Sequence, residues 1–424
     1  MDYRGSLDYL YGLQRFGIKL GLDNIRALLD RLGNPQRGLT VVHVGGTNGK
    51  GSVSAGLAAI LSQAGCRVGL YTSPHLLSFT ERIRVDGEAI SEIEVARLTH
   101  ELRRLARQIP ATFFEFTTAL ALCHFQRRRV DVAILEVGMG GRLDATNVVD
   151  PCLTVLTPVS VDHAEHLGDN LAAIAGEKAG IIKRNVPVVC AAQAPEAMEV
   201  MRRRARLQNA ELNVCGESFR FCLADGNFDF VGPDGKMAGL QTNLAGAHQV
   251  ENMTLAVAAS QILSRQGIPC DEQAVRRGLL RVEWPGRLEW WRGGRDVLLD
   301  GAHNVAGMKA LAAYLHTLSP RPRLRWVAGF KGDKDYRGLL AGLTPLVQHV
   351  YACEPPSEVA VGRTEIVAAA ESLGTAAQEF SSVDDALAAA LRDRSAGETV
   401  LVAGSLFLVA SARQYLLARK GASA

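Results

Sequence analysis

The sequence predicts an α/β protein with two domains, each built on a mostly parallel sheet. The chain has 424 residues, more than the roughly 250–300 at which one hydrophobic core stops growing. Short β-branched apolar runs alternate with stretches of helical periodicity, which is the pattern of βαβ units. A glycine-rich segment separates one of the first runs from a helical pattern. We therefore expect the first domain to contain a strand–loop–helix turn.

The predicted strands follow one another along the whole chain. The apolar runs that predict them are residues 40–42, 130–135, 152–156, 186–190, 296–299, 324–328, 348–352 and 399–403. Between residues 218 and 242, short runs broken by Asp225-Gly226 and Asp234-Gly235 predict antiparallel hairpins beside the main sheet. A polar stretch at Gly293-Gly294 precedes the second βα series, so we expect domains at residues 1–293 and 294–424.

Composition narrows the classes of function. The chain has 47 basic and 44 acidic residues, a balance that does not indicate a nucleic-acid-binding surface. No apolar run reaches the roughly 18 residues of a membrane-spanning helix. The eight cysteines form no C-x-x-C pair, and no apolar leader follows a basic start. We therefore expect a cytoplasmic protein with reduced thiols that binds neither nucleic acid nor membrane.

Residues 43–52 have the composition of a phosphate-binding loop. Glycines at 46, 49 and 51 allow backbone N–H groups to converge on an anion, Lys50 adds a positive charge, and the helix that follows adds its positive end. The spacing departs from G-x-x-x-x-G-K-[ST], because Val44 replaces the first glycine and Gly51 separates the lysine from Ser52. A simple glycine-rich turn is the alternative. The residues predicted to bind phosphate are Gly46, Thr47, Asn48, Gly49, Lys50, Gly51 and Ser52.

Polar side chains that end apolar runs form a second group of candidates, because parallel sheets bind ligands at the carboxyl ends of their strands. Ser73, Glu136 and the Asp162-His163 pair do this in the first domain. Glu136 suits Mg²⁺, a cation that prefers oxygen ligands. The alternatives are a carboxylate that caps the turn at Gly138, and a zinc site at His163 and His166, for which no third soft ligand is evident.

The loop Gly46–Ser52 resembles the ATP loop of the Mur ligase superfamily, in the form found in folylpolyglutamate and dihydrofolate synthases. Further motifs of that family follow in order over more than 350 residues. They are Tyr71-Thr72-Ser73-Pro74-His75-Leu76, the segment Glu136–Asn147, Asp162-His163, Glu177-Lys178-Ala179-Gly180, Trp284-Pro285-Gly286-Arg287, Asp300-Gly301-Ala302-His303-Asn304, Asp333-Lys334-Asp335 and Gly404-Ser405-Leu406. The resemblance implies a P-loop ATPase domain followed by a smaller, Rossmann-like C-terminal domain.

The resemblance also implies a metal site and a modified lysine. The family's metal ligands map onto Ser73, Glu136 and His163, and we expect two Mg²⁺ ions. Lys178 lies where the family commonly has a carbamylated lysine. Carbamylation requires a neutral amine, which burial near cations favours by lowering the lysine pKa. The alternative is an exposed helix lysine paired with Glu177.

Nucleotide contacts of the family map onto Asn252, Arg287 and Asp300. His303 is expected beside the phosphates as a catalytic residue together with Lys50 and Lys178. We expect these groups to face an interdomain cleft, where Asp300 would accept a hydrogen bond from ribose or orient the incoming amine. Domain closure would then assemble the site.

Substrate contacts implied by the resemblance involve five further residues. Thr112, Phe114 and Asp144 map onto a dihydropteroate pocket, in which the ring would stack on the heterocycle and the carboxylate would pair with its N–H groups. Arg82 and Ser405 are expected to hold glutamate carboxylates. The alternatives are a core role for Phe114, an N-cap role for Ser405 and a surface position for Arg82.

These residues together predict an ATP-dependent amide ligase that joins L-glutamate to dihydropteroate, tetrahydrofolate or both, through an acyl phosphate. The resemblance further implies a monomer. A peptidoglycan-type Mur ligase is one rival, disfavoured by the Lys50-Gly51-Ser52 ending and by the 39 residues before the loop strand, which leave no room for a UDP-binding domain. A P-loop switch protein is another rival, and it leaves the motif from Asp300 to Asn304 unexplained.

Overall fold

The computed structural model describes residues 1–17, 21–162, 164–224, 226–291, 296–357 and 359–421. Its contacts divide the chain into two compact units. The N-terminal unit comprises Met1–Asn243 and Gln249–Glu283, and the C-terminal unit comprises Leu244–His248 and Trp284–Ala424. The chain last changes unit after Glu283, whereas the predicted boundary at Gly293-Gly294 lies outside the described residues.

The first part of the chain alternates strands and helices. Its helices are α1 (Tyr3–Gly12), α2 (Asp23–Arg31), α3 (Lys50–Gln63), α4 (Glu92–Leu105), α5 (Phe113–Arg128), α6 (Ala164–Leu167), α7 (Leu171–Ala179), α8 (Pro195–Leu207), α9 (Ala247–Arg265) and α10 (Glu272–Arg281). Its strands are β1 (Val41–Gly45), β2 (Val68–Tyr71), β3 (Ile83–Val85), β4 (Glu88–Ala89), β5 (Val132–Glu136), β6 (Leu153–Leu156), β7 (Val188–Cys190), β8 (Leu212–Val214), β9 (Arg220–Ala224), β10 (Asn227–Gly232) and β11 (Gly235–Leu240). Short 3₁₀ turns lie at Leu13–Phe16, Pro35–Gly38, Phe79–Arg82 and Ala145–Val148.

An eight-stranded sheet forms the centre of the N-terminal unit, with the order β4-β3-β2-β5-β1-β6-β7-β8. All its pairs are parallel except β2–β3 and β3–β4. The central strands β1, β5 and β6 are buried along their whole length, because helices cover both faces of the sheet. Val44 pairs with Glu136 and Gly45 with Leu156, so the carboxyl ends of these strands lie side by side.

A separate three-stranded antiparallel sheet, with the order β11-β10-β9, lies in the same unit. It confirms the hairpins predicted between residues 218 and 242, although Asp225 itself lies outside the described residues.

Helix ends in this unit follow the expected capping chemistry. Ser91 caps α4 by accepting a hydrogen bond from the Glu94 N–H at 3.2 Å, and the last turn of α4 carries Arg103 and Arg104. Thr112 begins α5 with a reciprocal capping box.

The C-terminal unit is a second α/β layer structure. Its strands are β12 (Glu289–Trp290), β13 (Val297–Asp300), β14 (Arg323–Ala328), β15 (Val347–Ala352), β16 (Ala377–Glu379) and β17 (Glu398–Ala403), and its helices are α11 (Val305–Thr317), α12 (Tyr336–Leu343), α13 (Arg363–Ser372), α14 (Val383–Asp393) and α15 (Leu406–Gly421), with a 3₁₀ turn at Thr344–Leu346. The sheet order is β12-β13-β17-β14-β15-β16, parallel except for β12. Ala403 pairs with both Asp300 and Ala328, so the carboxyl ends of β13, β14 and β17 meet.

The structure confirms the predicted α/β class and every predicted strand, and it adds short strands that the periodicity did not indicate, namely β3, β4, β8, β12 and β16. All eight cysteines lie in the described segments and are free thiols. Among the described helices, none has the length and apolar character needed to cross a membrane.

Candidate functional site

The glycine-rich loop joins β1 to α3 at the carboxyl edge of the large sheet. Gly46 has φ 134° and Gly49, the N-cap of α3, has φ 89°, a region that side-chain-bearing residues rarely adopt. A Cβ at Gly46 would overlap the hydroxyl of Thr157, and one at Gly49 would overlap the amide of Asn252. Glycine is therefore required at both positions. Asn252 lies directly against the loop, and its expected contact with the nucleotide stays a prediction.

The first half of the loop is fastened to the segment after β6. The N–H groups of Thr47 and Asn48 donate to the Pro158 carbonyl at 3.0 and 3.4 Å, and the Thr47 hydroxyl donates to the Ser160 carbonyl at 3.0 Å. These two N–H groups hold the loop in place. The donors left for an anion are those of the first turn of α3, from Lys50 to Ser52, which have no preceding helical carbonyl.

Lys178, near the end of α7, is only 5% exposed and reaches this loop. Its Nζ donates to the Gly46 carbonyl at 2.9 Å. Burial, reinforced by the charge of Lys50, lowers the pKa of Lys178 to about 7. Glu177 pairs instead with Arg142, with 2.7 Å between Nη2 and Oε1. The alternative of an exposed lysine paired with Glu177 is therefore wrong.

Glu136 ends β5 and Ser73 follows the neighbouring strand β2, so the sheet brings them together. Glu136 is buried, and its Oε2 accepts a hydrogen bond from the Ser73 N–H at 3.0 Å. In the part of the chain that the structure describes, no three His, Cys, Asp or Glu side chains cluster as a metal site. Mg²⁺ does not require such a cluster, because it commonly uses one or two carboxylates with water and phosphate oxygens. A buried carboxylate that accepts from the backbone of a serine, on a strand paired with the strand that leads into the phosphate loop, fits this chemistry.

His163, the third expected ligand, lies outside the described residues, and with it the zinc alternative that pairs it with His166. Its neighbour Asp162 is described and half-buried. The turn at Gly138 receives its carboxylate from Asp144, whose Oδ2 accepts from the Met139 N–H at 2.9 Å.

Asp144 is a buried residue that shapes the loop after β5. Besides Met139, it accepts hydrogen bonds at Oδ1 from the N–H of Thr146, at 3.0 Å, and from the Thr146 hydroxyl. The ring of His43 in turn lies 2.8 Å from that hydroxyl. Burial raises the pKa of Asp144, an effect that these hydrogen bonds oppose. Much of its accepting capacity is thus used inside the protein, and the predicted contact with a pterin stays a prediction.

Thr112 and Phe114 lie at the start of α5. The Thr112 hydroxyl accepts from the Glu115 N–H at 3.3 Å, and the Thr112 N–H donates to Glu115 Oε2 at 2.8 Å. The half-buried Phe114 ring covers Gly138, where a Cβ would overlap it, and its centroid is 6.0 Å from that of Tyr71. Phe114 therefore reaches the same loop that Asp144 shapes.

Arg82 is buried, so the alternative of a surface charge is wrong. Its Nε donates to His75 Nδ1 at 2.7 Å, and its guanidinium lies 5.2 Å from the centroid of Phe113. Burial lowers the pKa of Arg82. A buried guanidinium is a strong partner for a carboxylate, and the expected contact of Arg82 with a glutamate carboxylate stays a prediction.

In the C-terminal unit, Asp300 ends β13 and is buried. Its Oδ2 accepts from the Leu288 N–H at 2.8 Å and its Oδ1 from the Ala302 N–H at 2.9 Å. Burial raises its pKa, while Arg287 acts in the opposite direction. Asp300 thus connects two segments, the turn that contains Arg287 and the loop after β13. The structure assigns it this internal role, and the expected contact with ribose or amine stays a prediction.

His303 and Ser405 follow adjacent strands of that unit. His303 Nδ1 lies 2.8 Å from the Gly301 carbonyl, a contact that requires the proton on Nδ1. Ser405 is buried, and its hydroxyl accepts from the Phe407 N–H at 3.2 Å, as the N-cap interpretation predicts. Asn304 caps α11 through the Gly307 N–H at 2.8 Å.

Sequence reasoning missed the residues that hold the phosphate loop from outside. Thr157, Pro158 and Ser160 follow the apolar run at 152–156. That run predicts a strand, and the next site residues expected along the chain are Asp162 and His163. A polar residue directly after that run, Thr157, was the available signal. The geometry as a whole defines a nucleotide-binding α/β enzyme: a phosphate loop, a neighbouring carboxylate and a buried lysine at one sheet edge, with a second α/β unit.

Comparison with known proteins agrees with this class. The sequence pattern of the Mur ligase middle domain matches residues 44–260, and that of the Mur ligase glutamate ligase domain matches residues 286–406. A dihydrofolate synthase/folylpolyglutamate synthase of Bacillus subtilis is 33% identical over 98% of this chain and 99% of that protein. A folylpolyglutamate synthase of Lacticaseibacillus casei is 36% identical over 99% of this chain and 100% of its own length.

Solved structures agree as well. The structure of E. coli FolC in complex with DHPP and ADP superposes with a TM-score of 0.91 at 33% identity and covers 98% of both chains. A Mycobacterium tuberculosis folylpolyglutamate synthase complexed with ADP and AMPPCP superposes with a TM-score of 0.88 at 35% identity, over 97% of this chain and 98% of the other. The chain belongs to the Mur ligase family, in its group of folylpolyglutamate and dihydrofolate synthases.

Proposed function

We propose that this ATP-dependent ligase forms an amide bond between L-glutamate and a folate-type acid, either dihydropteroate, tetrahydrofolate with its growing glutamate chain, or both. The names of the relatives and the ligands of the solved structures support this choice of substrates. The main structural support for this function is that the phosphate loop, Glu136 and Lys178 lie at the same edge of the large sheet. Lys178 donates a hydrogen bond to the loop itself.

ATP is proposed to bind with its phosphates at the loop from Gly46 to Ser52. The first turn of α3 supplies N–H donors and Lys50 a positive charge. Lys50 Nζ now donates to the Thr47 carbonyl at 3.1 Å, within the loop. The acceptor carboxylate attacks the γ-phosphorus, ADP leaves and an acyl phosphate forms. Lys50 offsets the charge that develops on the transferring phosphoryl group.

Ser73, Glu136 and His163 are proposed to hold Mg²⁺, with two ions in the complete site. Bound Mg²⁺ would neutralise phosphate charge during transfer. The Glu136 carboxylate is buried, and its bond from the Ser73 N–H keeps it oriented beside the loop.

Lys178 is proposed to act as a carbamate. Its neutral amine adds to the carbon of CO₂, an N–C bond forms, and the proton leaves to solvent. Burial supports this step because it lowers the pKa of Lys178 to about 7, so a large share of the amine is neutral near pH 7. The resulting anion would place beside Lys50 a negative charge that Mg²⁺ favours.

The second half of the reaction joins the glutamate. Its amine attacks the acyl phosphate carbon, a tetrahedral intermediate forms, and phosphate leaves as the amide is completed. We propose that Thr112, Phe114 and Asp144 contact the folate-type acceptor, and that Arg82 and Ser405 hold the glutamate carboxylates. Asn252, Arg287, Asp300 and His303 are proposed to contact nucleotide, phosphates and glutamate.

An assay of ADP release tests the function. We expect release to require glutamate together with dihydropteroate or tetrahydrofolate, and the two acceptors measured separately decide between the two ligase activities. Release that is independent of glutamate would favour the P-loop switch alternative. We also propose that the protein is a monomer, and light scattering of the same sample tests this oligomeric state.

A further inference from the structure

The turn that carries Arg287 is held by two residues that lie outside the motifs identified in the sequence. Glu289, the first residue of β12, accepts a hydrogen bond at Oε2 from the Gly286 N–H at 2.7 Å. Arg413 of α15 donates from Nε to both oxygens of Glu289, at 3.0 and 3.2 Å. The two side chains are only 20% and 21% exposed, so solvent screens this pair incompletely.

The turn needs such support because its backbone is unfavourable. Leu288 has φ 45°, a left-handed conformation that a bulky side chain rarely adopts, and it is buried. Three hydrogen bonds hold this conformation. They run from Leu288 N–H to Asp300, from Gly286 N–H to Glu289, and from Gly301 N–H to the Gly286 carbonyl at 2.8 Å.

The position of the Arg287 guanidinium depends on the same turn. Its Nη1 lies so close to Gly301 that a Cβ at this glycine would overlap it. If the Gly286 N–H lost its acceptor, the turn could relax and the guanidinium would move. We propose that Glu289 is a positioning residue for Arg287 in nucleotide binding, and that Arg413 orients Glu289. This inference rests on the proposed nucleotide contact of Arg287.

Kinetics with ATP as the varied substrate test this proposal. Glu289→Ala should raise the KM for ATP about 10-fold and change kcat less, because it misplaces a binding group and removes no reacting one. Glu289→Gln keeps a carbonyl acceptor for the Gly286 N–H, so its KM for ATP should stay within about 3-fold of that of the parent enzyme. The KM for ATP of Arg413→Ala should lie between those of Glu289→Ala and Glu289→Gln. Calorimetric binding of ADP should show the same order.

A matched ion pair in the same unit provides the control. Arg325 and Glu398, on neighbouring strands β14 and β17, are 2.6 Å apart between Nε and Oε2 and are 19% and 11% exposed. Glu398→Ala should lower the thermal midpoint as Glu289→Ala does, and leave the KM for ATP unchanged. Equal KM changes in the two variants would overturn the proposal, since a general loss of stability would then explain both.

A double-mutant cycle with Arg287→Ala separates the proposed nucleotide contact of Arg287 from the positioning role of Glu289. Arg287→Ala should raise the KM for ATP, and adding Glu289→Ala should then have little further effect. No change from Arg287→Ala would remove the proposed contact of Arg287 and the positioning role with it. A raised KM from Arg287→Ala with none from Glu289→Ala, or full additivity of the two, would overturn the positioning role alone. If Glu289→Ala fails to fold, Glu289→Gln and Arg413→Ala carry the same comparisons.

Discussion

Individual side chains at the phosphate loop owe their chemistry to burial. Lys178 has an ordinary sequence context near the end of a helix, but its amine lies against the Gly46 carbonyl and beside the charge of Lys50. The cost of keeping a charge there is what lowers its pKa to about 7. Glu136 is likewise a buried carboxylate placed by two neighbouring strands.

The proposed carbamate predicts a specific pattern for Lys178 variants. Lys178→Ala should be nearly inactive, and a small carboxylic acid in the buffer should restore part of the turnover by filling the vacated space. Enzyme depleted of CO₂ should lose activity and regain it with bicarbonate. Wild-type activity of Lys178→Arg, or no response to bicarbonate in steady-state assays, would contradict the carbamate.

Lys50→Ala should lower kcat by at least about 10²-fold, as expected for the loss of one preorganised charge at the transferring phosphoryl group. Lys183→Ala is the matched control, because Lys183 is also partly buried and also donates to a backbone carbonyl, that of Asn147 at 3.1 Å. The control should keep its kcat. Near-normal turnover of Lys50→Ala would remove the assignment of the phosphate loop.

Glu136→Gln should stay folded and require a higher Mg²⁺ concentration for half-maximal activity, because the amide keeps the size of the side chain and removes its charge. Glu115→Gln is the control: this buried carboxylate caps α5, so its change should lower stability without altering the Mg²⁺ requirement. If the Mg²⁺ titration of Glu136→Gln matches the parent enzyme, the carboxylate is structural.

At the scale of elements, the candidate site residues lie on turns and at the first residues of helices. Each of these segments is held by contacts with a second element. The loop before α3 is fastened to the segment after β6 and packed against Asn252 of α9. The loop after β5 takes its shape from Asp144 and meets Phe114 of α5. A change in one element is therefore expected to show in the ligand contacts of another.

Gly49→Ala should weaken ADP binding by about 10-fold or more, because a Cβ there is both strained at φ 89° and in overlap with Asn252. Gly65→Ala, just after the other end of α3, separates these causes: its φ is 87° and nothing lies within 4 Å of the added Cβ. We expect Gly65→Ala to lower stability and leave calorimetric ADP binding unchanged. Equal ADP affinities for the two variants would argue against a steric role of the loop contact.

At the scale of the whole molecule, a fully buried histidine links the stability of the N-terminal unit to pH. Burial lowers the pKa of His43 from 6.5 to about 3. The unfolded chain therefore binds a proton below pH 6.5 that the folded protein does not bind until about pH 3. The stabilising contribution is complete above pH 6.5 and is lost as the pH falls towards 3.

The free energy of unfolding in urea should thus decrease from pH 7 to pH 4.5, and His43→Leu should show a shallower decrease. The variant loses the contact with the Thr146 hydroxyl, so its stability at pH 7 should also be lower. Burial also lowers the pKa of His75, to about 4. This second histidine should therefore leave part of the pH dependence of the unfolding free energy in His43→Leu. An unchanged slope in His43→Leu would show that other groups cause the acid sensitivity.

The α/β class, the succession of the main strands along the chain, the glycine-rich loop and the strand ends that carry Ser73, Glu136 and Asp300 follow from the amino-acid sequence alone. These features are local, because apolar periodicity and glycine placement act within a few neighbouring residues. The hydrogen-bond partners of the site residues, in contrast, depend on contacts between segments that are distant in the sequence. Lys178 donates to a carbonyl 132 residues away, and Asp300 receives an N–H from a turn 12 residues earlier. The short strands β3, β8 and β16 form because neighbouring strands offer them unpaired backbone groups, and burial, which sets the pKa of Lys178, exists only once distant elements pack together.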